Sequence, residues 1–250
     1  MYRKIRVGIV SYLNTKPLLY GIQHSELVKG LELMIDYPSQ IATMLLEDEI
    51  DIGLVPVAVI PEMKEYFINT NYCIGCDGAV GSVCIFSDVP LDKVDHILLD
   101  YQSKTSTELA KVLLKEYWKV NPVLTDGGID FIEHIKGSTA GLVIGDRALE
   151  QRRISPYRYD LGEAWKALTG LPFVFAAWIS NKKLEDSFIN AFDKANREGL
   201  RNIESVLQNL EYEVFDLQEY YKEYISYDLD DRKRAGLNAF LNYLKIGSIV

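Results

Sequence analysis

An α/β fold of two lobes is predicted by three features of this chain. Strand-like and helix-like segments alternate along it, the pattern of parallel strands joined by crossover helices. Two apolar stretches, residues 80–86 and 172–179, flank a second alternating region and read as paired crossings between lobes. The run Ser-Tyr-Leu-Asn-Thr-Lys-Pro-Leu at residues 11–18 places hydroxyl, amide and ammonium groups directly after an apolar run, where open α/β sheets bind their ligands.

Each element follows from local chemistry. Residues 5–10 form an uninterrupted mostly apolar run and predict a strand buried on both faces. Pro17 suits the first turn of a following helix, which Asn14 or Thr15 can cap. Residues 31–36 predict a strand, 39–47 a helix, and 50–55 a buried strand ending at Pro56. In the second region, residues 97–99, 120–124 and 141–144 read as strands. The segment 183–246 is helical in pattern, with breaks near Gly199, Asp216 and Asp228, and is expected to pack back on the first lobe. The expected division is lobe 1 from residues 1–84 and 180–250, with lobe 2 inserted as residues 85–179.

Composition narrows the function classes. The chain has 250 residues, 48% of them hydrophobic and 25% charged, enough to bury a sizeable core. A formal net charge of −9 argues against binding nucleic acid or an anionic membrane, since both need basic surfaces. No run approaches the roughly 18 apolar residues of a membrane span, and no leader-like stretch opens the sequence, so membrane insertion is not expected and the expected location is cytoplasmic. Cys73, Cys76 and Cys84 are an odd, sparse set and predict buried thiols rather than disulfides. Cys73 and Cys76 form a C-x-x-C within a strand-like stretch with no second ligand pair, and His24, His96 and His134 stand apart from one another, so no metal site is predicted. No cofactor motif is present.

Four polar segments are expected to meet in a cleft between the lobes. The first comprises Ser11, Tyr12, Asn14, Thr15 and Lys16. The second is Gly81-Ser82, opening the first crossing strand. The third, residues 100–106, lies between a strand and a helix, so Ser103, Thr105, Ser106 and the free N–H groups of the helix start can receive an anion. The fourth is Gly145-Asp146-Arg147. Lys16, Lys104 and Arg147 are the cations within reach, each of which can equally pair with a neighbouring acid.

At these residues the sequence resembles the chorismate dehydratases of the futalosine route to menaquinone. The resemblance is carried by VSYLNTKPL at residues 10–18, EIDIGLVPV at 49–57, GAVGSVCIFS at 78–87, LDYQSKTSTELAKVLL at 99–114, VIGDRAL at 143–149 and DLGEAWKALTGLPFVFAAW at 160–178. It spans nearly the whole chain. It implies a two-lobed fold like the type 2 periplasmic binding proteins, with a ligand cleft between lobes, and a cofactor-independent hydro-lyase acting on chorismate. By the same resemblance Asn14 and Ser82 are the expected catalytic residues. Ser11, Tyr12, Thr15, Lys16, Ser103, Thr105, Ser106, Gly145 and Asp146 are expected to bind substrate, with Asp146 as an alternative proton acceptor to the substrate's own carboxylate. A solute-binding protein and the sensor domain of a transcription regulator are the competing classes; the first would be exported, and the second would need a basic DNA-binding segment that the sequence does not show.

Overall fold

The computed structural model describes residues 4–208 and 210–247. The expected first lobe also includes residues 1–3, 209 and 248–250, which lie outside the described residues. In chain order the elements are β1 (Ile5–Ile9), α1 (Lys16–Gln23), β2 (Leu31–Ile35), α2 (Pro38–Leu46), β3 (Ile52–Pro56), β4 (Phe67–Cys76), β5 (Val83–Ser87), β6 (His96–Leu99), α3 (Lys104–Leu113), β7 (Val123–Asp126), β8 (Thr139–Ile144), α4 (Asp146–Gln151), β9 (Tyr157–Asp160), α5 (Leu161–Thr169), β10 (Phe173–Ser180), α6 (Asp186–Arg201), α7 (Ile203–Gln208), α8 (Leu217–Glu219), β11 (Ser226–Asp228) and α9 (Asp231–Gly247). The strands form two sheets, ordered β11-β4-β10-β3-β1-β2 and β7-β6-β8-β5-β9.

Each sheet has a parallel and an antiparallel part. β1 is parallel to β2 and β3, and β6 is parallel to β7 and β8, as strand-helix alternation predicts. β10 is antiparallel to both β3 and β4, and β5 is antiparallel to β8 and β9. Direction of travel explains the difference. β3 and β4 run towards the cleft and β4 leads out of its sheet, so the strand that returns must run the other way. β5, entering the second sheet from the cleft, likewise opposes β8.

The sheets also correct the expected crossings. Residues 173–180 do not bridge the lobes; β10 lies wholly in the first sheet, and the return link is the short stretch after α5 that begins at Gly170, with φ of 73°. By sheet membership, residues 173–179, expected in lobe 2, belong with lobe 1. β5 starts at Val83, so the outward link is 77–82.

Gly199, expected to break a helix, sits inside α6. A Cβ there would lie 2.0 Å from the Pro17 carbonyl oxygen, and one on Gly21 would lie 2.0 Å from that of Ala195. These two glycines let α1 and α6 touch backbone to backbone, which fastens the start of α1, and the turn before it, to the first lobe. The break falls instead at Asn202. Asp216 does interrupt the pattern, capping α8 by accepting from the N–H groups of Gln218 and Glu219. Beyond it, 226–228 is a strand, β11, on the outer edge of β4.

The core is continuous beneath the first sheet and beside the second. Trp165 and Trp178 are fully buried, and each indole N–H is satisfied, by the Pro172 carbonyl at 3.2 Å and the Asn196 side chain at 3.0 Å. All three cysteines are buried free thiols, as expected; burial pushes the Cys73 thiol up to about 12. The three histidines are exposed. Among the described residues no helix is long and apolar enough to cross a membrane.

Candidate functional site in the interlobe cleft

The carboxyl ends of β1, β3, β4 and β8 and the amino end of α3 converge on a cleft. Its apolar walls are Val10, Leu54, Pro56, Ile74, Val80, Val83, Ile144, Phe175 and Ala176, and its polar groups are Tyr12, Asn14, Thr15, Ser103, Ser106 and the Gly145 backbone. Six of the expected site residues are therefore brought together: Tyr12, Asn14, Thr15, Ser103, Ser106 and Gly145. None of the lining side chains carries a formal charge, so an anion here would be held by neutral donors and the dipole of α3 rather than by a cation.

Local geometry aims these groups. Asn14 lies in a one-turn 3-10 helix, Leu13–Thr15, rather than capping α1. Thr15 occupies the cap position, but its hydroxyl donates to the carbonyls of Val10 and Tyr12 and makes no cap bond. That hydroxyl instead ties the turn back to the end of β1, which fixes Asn14 over the cleft. On the facing lobe, the Ser103 Oγ accepts from the Ser106 N–H at 3.2 Å and donates to the Ser106 hydroxyl at 2.9 Å, so the start of α3 is capped by its own serines.

The remaining expected residues stand off the wall, each with a visible partner. Ser11 is exposed and accepts from the Lys16 ammonium at 3.1 Å. Thr105, fully buried, accepts from the Ala58 N–H of the other lobe at 3.1 Å. Asp146 accepts from the Leu13 N–H at 3.0 Å, again across the lobes; burial raises its carboxyl above the usual range, partly offset by that bond. Ser82 is fully buried between the wall residues Val80 and Val83, and accepts from the Tyr220 hydroxyl at 2.7 Å. Two cations offered by the sequence are also engaged: Lys104 pairs with Glu62, and Arg147 forks onto Asp100 at 2.8 and 3.0 Å and onto Gln102 at 2.8 Å.

This Arg147 cluster forms part of a latch between lobes. The Tyr12 hydroxyl donates to the Gln102 side chain, whose oxygen Arg147 also holds. Ser39 reaches over with its N–H to the Gln102 carbonyl at 3.0 Å and its hydroxyl to the Tyr101 carbonyl at 3.1 Å. Asp100, whose side chain is fully buried, is raised by burial and held down in part by Arg147. Together with the Leu13 and Ala58 bonds, these contacts hold the lobes together around the cleft.

Sequence reasoning missed two supporting groups. Asp160 takes the N–H groups of Val80 and Gly81 at 3.0 and 2.8 Å, and those of Gly162 and Glu163 at 2.9 and 3.1 Å. One buried carboxylate thus caps α5 and fixes the loop that carries Ser82. Its signature, an Asp followed three residues later by Glu163 at a helix start, was legible. The second group is a set of tyrosines after α8. Tyr221 donates to the Leu13 carbonyl and Tyr227 to the Asn14 carbonyl, both at 2.8 Å, while Tyr220 meets Ser82. No spacing or motif marks them in advance.

Two α/β lobes facing each other across a cleft make a fold like that of the periplasmic binding proteins. A Candida albicans protein described as exhibiting the generic periplasmic binding protein fold has the same architecture, with a TM-score of 0.61 and 13% identity over 99% of this chain and 90% of that one. More particularly, the chain belongs to the menaquinone biosynthesis family, whose profile matches residues 5–245. Among curated relatives, a Thermus thermophilus protein named chorismate dehydratase is 27% identical, covering 95% of this chain and 94% of that one. A Campylobacter jejuni protein of the same name is 25% identical, covering 95% and 96%.

Proposed function

We propose that this chain is a chorismate dehydratase, eliminating water from chorismate to give 3-[(1-carboxyvinyl)oxy]benzoate on the futalosine route to menaquinone, without a cofactor. The observation that carries the reading is the composition of the cleft: apolar walls, with neutral donors from both lobes, Asn14 in one and Ser103 and Ser106 at the start of α3 in the other. A ring bearing two carboxylates matches that division. The carboxylates meet hydroxyls and helix-start N–H groups, and bonds from such donors to a charged group contribute about 1.5–3 kcal/mol each.

The chemistry asks for little beyond positioning. The C3–H bond breaks, its electron pair forms the new C3–C4 double bond, and the C4 hydroxyl leaves as water, completing an aromatic ring. The substrate's enolpyruvyl carboxylate takes the C3 proton and passes it to the departing C4 oxygen, so that the C–O bond breaks with loss of one neutral water and the carboxylate is restored. Asp146 is the weaker candidate, because one of its oxygens already accepts from Leu13 and it does not line the cleft. Asn14 holds or polarises the departing hydroxyl. Ser82 donates to a carboxylate once the wall beside it opens, and closure of the lobes then excludes water.

The direct test is to incubate the purified, chelator-treated protein with chorismate and follow the product by mass spectrometry. Loss of one water with formation of the aromatic ether is the expected result. Intact chorismate after prolonged incubation, with and without added divalent metal, would refute the assignment; turnover only with metal would refute cofactor independence alone.

A further inference from the structure

The segment from Tyr220 to Tyr227 closes over the catalytic turn without belonging to either motif that forms it. It opens with a π-helical turn, Tyr220–Tyr224, whose wider i→i+5 bond runs from the Ile225 N–H to the Tyr220 carbonyl at 3.1 Å. Tyr220 and Tyr221 are adjacent, yet both are buried there. Tyr221 and Tyr227 bond only to backbone carbonyls of the turn, at Leu13 and Asn14. Tyr220 differs: its hydroxyl donates to Ser82 Oγ at 2.7 Å.

We propose that Tyr220 is a positioning residue for the dehydration, setting the direction of Ser82 through one buried hydroxyl. This rests on the reading of the cleft as a chorismate site. The phenol is fully buried, edge-on to Phe215 at 6.2 Å and tilted against Tyr221 at 5.7 Å, so its ring has one orientation. Burial raises its pKa, with the Ser82 bond acting in the opposite sense, and it remains a proton donor across the working pH range. Because Tyr220 gives its hydrogen to Ser82, the serine's own hydrogen must point elsewhere. The Val80 carbonyl, at 3.5 Å, is its acceptor in the protein, a bond long enough to be exchanged for a substrate oxygen.

The test compares Tyr220→Phe, Tyr221→Phe, Ser82→Ala and the Ser82→Ala/Tyr220→Phe double variant with the parent protein, measuring kcat, KM and Tm. Tyr220→Phe is expected to lower kcat about tenfold or more through misaligned groups, with KM changed far less. Tyr221→Phe, which loses a bond to the Leu13 carbonyl but none to Ser82, should lower kcat less than Tyr220→Phe does, and its cost should be unchanged in the Ser82→Ala background. In the Ser82→Ala background, Tyr220→Phe should cost much less than it does alone, as expected when one residue acts through another. Tyr220→Phe turning over as fast as the parent, or costing the same factor in both backgrounds, overturns the proposal. An inactive parent protein instead overturns the dehydratase reading and this role with it. Should Tyr220→Phe not fold, 3-fluorotyrosine at position 220 keeps ring and hydroxyl while strengthening the donor; altered kcat supports the role and unaltered kcat overturns it.

Discussion

Replacing Asp160 with alanine removes one carboxylate and orphans several donors at once. The Val80, Gly81 and Gly162 N–H groups are buried with it, whereas Glu163 is exposed and its N–H can turn to water. An unsatisfied buried donor costs about 1–3 kcal/mol, so three of them at the low end give about 3 kcal/mol. Loss of the cap on α5 is contained in the Gly162 and Glu163 bonds and is not counted again. Relaxation of the 78–82 loop offsets part of any larger penalty, leaving an expected loss of about 3–4 kcal/mol. Asp160→Asn keeps one acceptor oxygen and a good capping side chain, and should lose only about 1–2 kcal/mol, chiefly at the Gly81 N–H. Urea unfolding followed by circular dichroism measures both variants. Activity measured where each variant is still folded should fall in the same order, because the loop carries Ser82. An Asp160→Ala protein within about 1 kcal/mol of the parent would show that this carboxylate does not hold the loop, and that water replaces it without loss.

Asn14→Ala is expected to reduce turnover by about 10²-fold while Tm shifts little, because the side chain lines the cleft and the turn is held by Thr15, Tyr221 and Tyr227; near-normal kcat would remove Asn14 from the site. Asp51 supplies a pH test. Burial disfavours its ionised form, but hydrogen bonds from the Arg6 side chain, Lys182 and the Arg6 N–H outweigh this and hold the carboxyl well below its ordinary range. A depressed carboxyl contributes stability that is present above the unfolded-state value of about 3.9 and lost as pH falls through the folded value. Asp51→Asn should therefore be less stable than the parent by about 1.5–3 kcal/mol at neutral pH, the gap closing on acidification below about pH 4. A gap that stays constant in urea titrations from neutral to acid pH would contradict that origin.

Local sequence fixes what depends on neighbours a few residues away. The apolar runs of β1 and β3, Pro17 at the start of α1 and the serines at the start of α3 each act within one or two turns, so the polar segments at strand ends were legible, and six of the expected residues do line one cleft. Gly199 shows where such reasoning fails: its role is set by Pro17 and Gly21 on another helix, and only that close approach distinguishes a packing glycine from a helix breaker. β10 was legible as an apolar strand but not as a member of the first sheet, since periodicity reports burial and never the partner; its place between β3 and β4 follows from the direction in which the chain re-enters the lobe. The same holds at the site. Thr105 and Asp146 carry polar groups that a ligand could use, and tertiary contact assigned them to Ala58 and Leu13 instead. Tyr220 gives no local signal at all, because its bond to Ser82 joins residues 138 apart and is specified by how α8 and the π-helical turn dock rather than by any pattern along the chain.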